Sequence, residues 1–137
     1  MRKYLLILLL LFSLSAFSQD SNNNIQYNFE YVYYVLEPRD GGTEKIIPTG
    51  RNCIVNYNTF YKKYFIGWTD QKGITAGNYF YYVPNDIEKE NIIMTKDDNG
   101  GRYVIYNKVK ELDAIILVFQ NYNKDFLVKI VLTNKKM

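Results

Sequence analysis

Asn91-Ile92-Ile93-Met94-Thr95-Lys96, then Asp97-Asp98-Asn99-Gly100-Gly101, then Arg102-Tyr103-Val104-Ile105-Tyr106-Asn107-Lys108-Val109: this stretch decides the fold class. Two runs rich in β-branched and aromatic residues flank a segment made of turn formers. Asn-Gly is the strongest short-range hairpin signal, and Asn99-Gly100 is expected to supply positive φ at both central turn positions. Antiparallel strands are therefore expected over Asn91–Lys96 and Arg102–Val109.

The same grammar extends in both directions. Downstream, Ala114 to Gln120 is a continuous apolar run, as expected of a strand buried on both faces, and Phe126 to Thr133 alternates before a polar Asn134-Lys135-Lys136 tail. Upstream, Pro84 stops a strand over Ile74–Val83, and polar Asn85–Asn91 reads as a loop or one helical turn. Asp70-Gln71-Lys72-Gly73 is expected to be a hairpin loop with its glycine left-handed. It follows a strand over Phe60–Thr69, entered through an Asn58-Thr59 turn. Arg51–Tyr57 and a short Glu44–Ile47, closed by Pro48 and Gly50, come before it. Further upstream, Ile25, Tyr27, Phe29, Tyr31, Tyr33 and Val35 share one face of a long strand, ended by the turn residues of Pro38–Gly42. Gln26, Asn28 and Glu30 take the other face. Val32, Tyr34 and Leu36 make the second half of that face apolar too. About eight strands with turns roughly every 8 to 12 residues predict an all-β domain. Short connections make it an antiparallel meander, hence a closed or partly open barrel, with a β-sandwich as the alternative.

The N-terminus has a different logic. Met1-Arg2-Lys3 is basic, Tyr4 to Phe12 is apolar, and Ala16 and Ser18 are small residues at −3 and −1 of a cleavage site before Gln19. That is the order of a secretory signal peptide over residues 1–18. The apolar stretch is short of the roughly 20 residues a membrane-spanning helix needs. A lipid anchor would require a cysteine directly after the cleavage site, and the only cysteine is Cys53. The expectation is a periplasmic or extracellular product with no membrane anchor. Its residues 19–24 should be flexible, and 25–137 should form a single domain large enough for a hydrophobic core.

Charge and composition exclude several classes. Of 17 lysines and arginines, Arg2 and Lys3 leave with the signal, so the mature chain is nearly balanced against its 14 acidic residues. Neither nucleic acid nor an anionic membrane is an expected partner. The 14 tyrosines suit strands, and A/T-rich codons would also favour them; a sugar- or lipid-binding aromatic surface is the functional alternative. With one cysteine, no intramolecular disulfide can form, so Cys53 is either buried in its strand or bonded to another chain. Without histidine there is no Ser-His-Asp or Cys-His arrangement. No Gly-x-x-x-x-Gly-Lys or Gly-x-Gly-x-x-Gly sequence occurs. Set on an EF-hand frame, the Asp97 loop puts Thr95 and Tyr106 where an Asp and a bidentate Glu are required. No cofactor and no metal site is expected.

A few residues remain as candidates. Glu30, Glu37, Glu44, Asp70 and Asp113 are the carboxylates that paired-acid chemistry could draw on, Glu30 alone lying mid-strand. Trp68 either caps the core or lines a barrel mouth. Phe60, Tyr64, Ile66 and Trp68 share a face interrupted by Lys62. The pair Lys62-Lys63 therefore marks either an edge strand blunted by lysine or a lysine inside a ligand cavity. Trp68, Tyr64 and Lys62 are the candidate ligand residues, and no catalytic residue is assigned. The signal peptide and the eight-strand meander together resemble the lipocalin-like (calycin) secreted proteins. The Gly-x-Trp of that family's first strand is absent, because the lone tryptophan directly follows Gly67 in a middle strand. The resemblance implies a closed barrel able to hold a small apolar molecule. Three readings follow. The first is a monomeric, non-catalytic secreted protein binding a small apolar or sugar-like ligand at a barrel mouth. The second is a protein-binding inhibitor or immunity-type protein acting on an envelope enzyme. The third, ranked last, is an enzyme using carboxylates and tyrosines.

Overall fold

The computed structural model describes residues 23–137. The expected signal peptide and its cleavage site at Ser18 and Gln19 lie outside the described residues. Eight strands run in chain order around a closed barrel: β1 Asn24–Pro38, β2 Lys45–Asn58, β3 Lys63–Asp70, β4 Thr75–Val83, β5 Ile92–Asp97, β6 Arg102–Lys108, β7 Ala114–Phe119 and β8 Phe126–Thr133. Every neighbouring pair is antiparallel, and β8 closes on β1 through Tyr31↔Thr133 to Pro38↔Phe126. A four-residue helix, α1 (Val109–Leu112), joins β6 to β7. The fold is the up-and-down barrel and not the sandwich. Asn24 already pairs with Asn58, and the Asn23 carbonyl accepts from Thr59 N at 2.7 Å. These two residues thus belong to the ordered wall and not to a flexible leader.

Two irregularities reset which side chains face inward. β1 slips against β2 between Val32 and Tyr33, and β2 slips against β3 between Arg51 and Ile54, with Asn52 left-handed at φ 54. A bulge of this kind reverses the in–out alternation beyond it. On β1 the alternation changes phase between Phe29 and Val32: Tyr27 and Phe29, then Val32 and Tyr34, join the core, while Tyr31, Tyr33 and Val35 take the other face, where Tyr33 and Val35 are buried as well. The single face expected for Ile25 to Val35 is split in two. One strand runs through Pro48, so the expected segments Glu44–Ile47, from Lys45 onward, and Arg51–Tyr57 are both parts of β2.

The axis is filled. Phe29, Val32, Cys53, Val55, Tyr64, Ile66, Phe80, Ile93, Ile105, Ile115, Leu117, Ile130 and Leu132 form one buried cluster that draws on every strand. Eight strands enclose only enough space for such side chains to meet. Cys53 is buried among them, and burial pushes its thiol pKa up to about 12. Some of β6 and β7 is hidden on both faces: outward Val104 and Ala114 are buried like inward Ile105 and Ile115. The tail beyond β8 turns back over the outer wall, where Met137 N donates to Tyr33 Oη at 3.1 Å.

One end of the barrel is closed by tight hairpins and aromatic side chains. In both 70–74 and 97–101 an aspartate opens the turn, and its Oδ1 accepts two backbone N–H groups: Lys72 and Ile74 for Asp70, Asn99 and Gly101 for Asp97. Only the glycine of each turn is left-handed, Gly73 at φ 82 and Gly100 at φ 84. Asn99 does not share the positive φ expected of it. The turn is a type I turn followed by a glycine bulge, a longer loop than the two-residue form. Below these turns Tyr103 meets Phe80 edge to face at 5.4 Å and Phe119 at a tilt at 5.0 Å. Trp68 lies against Gly50, where a Cβ would meet the indole at 2.2 Å.

Candidate functional site

The other end is built differently. It carries the start of β1, the turn 59–62, the connection 84–91 and α1. The expected two-residue turn at Asn58-Thr59 is longer. Asn58 Oδ1 accepts from Phe60 N at 3.0 Å and Tyr61 N at 2.8 Å, which holds both residues out of the strand. Phe60 is therefore not on the inward face shared by Tyr64, Ile66 and Trp68. Lys62 ends the turn in the left-handed region at φ 52. That conformation is uncommon for a long side chain, and it swings the ammonium across the barrel end.

There Lys62 meets Glu88, which the 84–91 connection brings to the same rim. Glu88 accepts from Lys62 Nζ on one oxygen and from Tyr82 Oη on the other, and Lys62 Nζ lies 4.5 Å from the centre of the Tyr82 ring. The three groups tune one another. The Lys62 and Tyr82 hydrogen bonds hold Glu88 below the usual carboxylate range, and the Glu88 bond raises both Lys62 and Tyr82. Beneath them Tyr57 stacks on Tyr64 with ring centres 4.2 Å apart. Burial pushes the Tyr64 hydroxyl well up, so it stays protonated. Asn107 donates to Tyr27 Oη at 3.3 Å and completes the polar floor.

Of these groups, Tyr57, Lys62, Tyr64 and Glu88 line a cleft of about 410 Å³, bounded further by Lys89, Glu90, Asn91 and Ile93. Two other clefts, of about 460 and 370 Å³, lie along the outer wall beside the bulges, next to Tyr33 and Arg51 and next to Glu30 and Asn134. The mouth cleft is lined by the stacked pair Tyr57 and Tyr64.

The expected ligand residues are thus divided. Lys62 and Tyr64 meet at the mouth, while Trp68 lies toward the opposite, closed end of β3. An edge strand cannot explain the lysines, because a closed barrel has none: Lys62 belongs to the turn, and Lys63 points outward over the Tyr79 ring at 4.7 Å. Tyr57, Tyr82 and Glu88 were not expected. Glu88 lies in a polar stretch 26 residues from Lys62, and the meander of β3, β4 and β5 brings the two to one rim. Asn58 before two aromatics was the signal that could have exposed the turn.

The candidate carboxylates do not converge. Glu30 pairs with Arg51 on the outer wall at 3.0 Å, and Glu37 pairs with Lys129 at 2.8 Å. Asp70 is taken up by its turn, Asp113 accepts from Asn134 at 3.1 Å, and Glu44 is exposed in the β1–β2 connection. No family model matches the chain, and neither a curated protein nor a solved structure matches it.

Proposed function

We propose that the protein is a non-catalytic binding protein of the periplasm or the extracellular space. Its ligand is a small, polar, ring-bearing molecule of the sugar type, held at the mouth of a filled barrel. One observation carries this reading: the stacked Tyr57–Tyr64 pair and the hydrogen-bonded Lys62–Glu88 pair line one cleft of about 410 Å³. An aromatic face accepts the apolar face of a sugar ring, and charged groups give and take hydrogen bonds with hydroxyls. The volume suits a small ligand, since such pockets span roughly 300 to 1,000 Å³. The packed axis favours this over an apolar molecule drawn into the interior. The likeness to calycins is then one of architecture, with the ligand moved from the axis to the rim.

Titration calorimetry with a panel of neutral mono- and disaccharides, and palmitate as the apolar control, tests the reading. Saturable sugar binding lost in Tyr57→Ala and Lys62→Ala supports it. Tight palmitate binding with no sugar binding would sink it.

A further inference from the structure

We infer that the sugar at the mouth is the end of a longer chain, whose next units lie on a stripe of aromatic rings down the outer wall of β3 and β4. The inference rests on the sugar reading of the mouth cleft and narrows the ligand class to an oligosaccharide. Phe65, Tyr79 and Tyr81 make the stripe. They alternate with buried Tyr64, Ile66 and Phe80, so all three rings stand on the outer face. Phe65 and Tyr79 are opposite in register with ring centres 5.0 Å apart, and Tyr81 follows Tyr79 at 6.1 Å. Tyr79 and Tyr81 are 41% and 43% exposed. Scattered exposed rings need no explanation, but three in contact along one wall do.

The wall is shaped to hold Phe65 low. Gly67 and Gly77 face each other beside it, and a Cβ on Gly77 would meet the Phe65 ring at 2.5 Å. A Cβ on Gly67 would meet the same ring at 3.5 Å, so the ring reaches over both glycines. Facing glycines weaken a strand pair, and glycine inside a strand often marks a close approach. Neighbouring rings turn by 56° and 28° along the stripe. A turning stripe follows a single twisted chain and does not match the flat face of a crystalline polymer.

The stripe continues the mouth. Lys62 and Tyr82 bond Glu88 at the rim, and their chain neighbours Lys63 and Tyr81 begin the stripe. Lys63 Nζ stands 4.7 and 5.8 Å from the Tyr79 and Tyr81 ring centres and makes no ion pair among the described residues. Its flexible stem lets it swing aside and donate to a ligand hydroxyl. Asn56 lies opposite Phe65 and Lys96 opposite Tyr81, so both share the outer face. Rings of this kind take the apolar faces of sugar units, and the carboxamide and ammonium groups beside them bond hydroxyls.

Titration calorimetry of the full chain with α-linked glucose, β-linked glucose and N-acetylglucosamine oligomers, from dimer to hexamer, tests the inference. It expects affinity to rise at least tenfold from dimer to hexamer in one series. Tyr79→Ser/Tyr81→Ser should remove that rise and keep the dimer affinity and the unfolding midpoint. Tyr79→Phe/Tyr81→Phe, which retains the rings, should keep the rise. Dimer binding with no gain on lengthening, or a gain that survives the double serine variant, overturns the inference and leaves the mouth reading standing. Hexamer binding lost in the serine variant but untouched by Tyr57→Ala overturns the mouth reading and, with it, the continuous chain. No binding in any series overturns both.

Discussion

The two ends of this barrel are made from the same eight strands and solve opposite problems. At the closed end, the 70–74 and 97–101 hairpins repeat one device, an aspartate that satisfies two backbone N–H groups and a left-handed glycine. Beneath them Trp68, Tyr103 and Phe119 fill the space to the wall. At the open end, Lys62 takes the left-handed position that a glycine would occupy more easily; exposed apolar side chains occur at both ends, Phe60 and Tyr61 here, Ile74 and Tyr122 at the other. Strain is tolerated where it serves a purpose. On the proposed reading, the closed end supplies stability and the open end supplies binding.

Substitutions can break this division, and the largest effect belongs to the closed end. Trp68→Ala removes a part-buried indole packed on the core and should cost about 3 kcal/mol of stability, read by denaturant unfolding. Sugar affinity should not change; a loss there would mean the two ends are coupled. Gly50→Ala drives a methyl into that indole and should cost about 1 to 3 kcal/mol. Gly73→Ala forces a side chain into a left-handed position and should cost about 1 to 2 kcal/mol. All three should leave mouth-cleft binding intact.

At the open end the order reverses, with large effects on binding and small ones on folding. Glu88→Gln should abolish sugar binding while the unfolding midpoint barely moves. The pH dependence sharpens the point. The folded-state pKa of Glu88 is lowered, so its contribution is present above the ordinary carboxylate pKa and is lost as pH falls through the lowered value. Lys62 is raised, so its contribution is present below the ordinary lysine pKa and is lost as pH rises through the raised value. Binding should therefore be flat across neutrality and fail in acid and in strong alkali. A slope near neutral pH would show that another group controls the cleft. The smallest stability effect should be that of Phe60→Ser, within about 0.5 kcal/mol of the parent, because the ring is exposed.

The same contrast separates what was legible in the sequence from what was not. The closed end was readable because tight turns have local chemistry: Asp70 to Gly73 and Asp97 to Gly101 announce themselves within a few residues. Strand number and order followed from those turns and from period-two alternation. The inward face of β1 differs from the expected one beyond Phe29, because the change of phase between Phe29 and Val32 leaves no mark in residue type. The mouth was the least legible part. Tyr57 stacks on Tyr64 through the register of the β2–β3 hairpin, and Lys62 meets Glu88 across the consecutive strands β3, β4 and β5; neither the register nor a charge pair 26 residues apart leaves a period in the sequence. Phe60 looked like a strand residue because aromatic residues favour strands, but the Asn58 side chain offered its backbone a competing partner.

Mapping by NMR where a bound sugar perturbs the chain tests the central claim most directly. Amide and side-chain resonances are followed during titration with the tightest-binding disaccharide of the panel. The account predicts saturable shifts at Tyr57, Lys62, Tyr64, Glu88 and Ile93, and none at Trp68, Phe119 or the outer-wall residues Glu30 and Arg51. Shifts centred on the closed end or the outer wall, or no saturable shift at the mouth with any sugar tested, would contradict it.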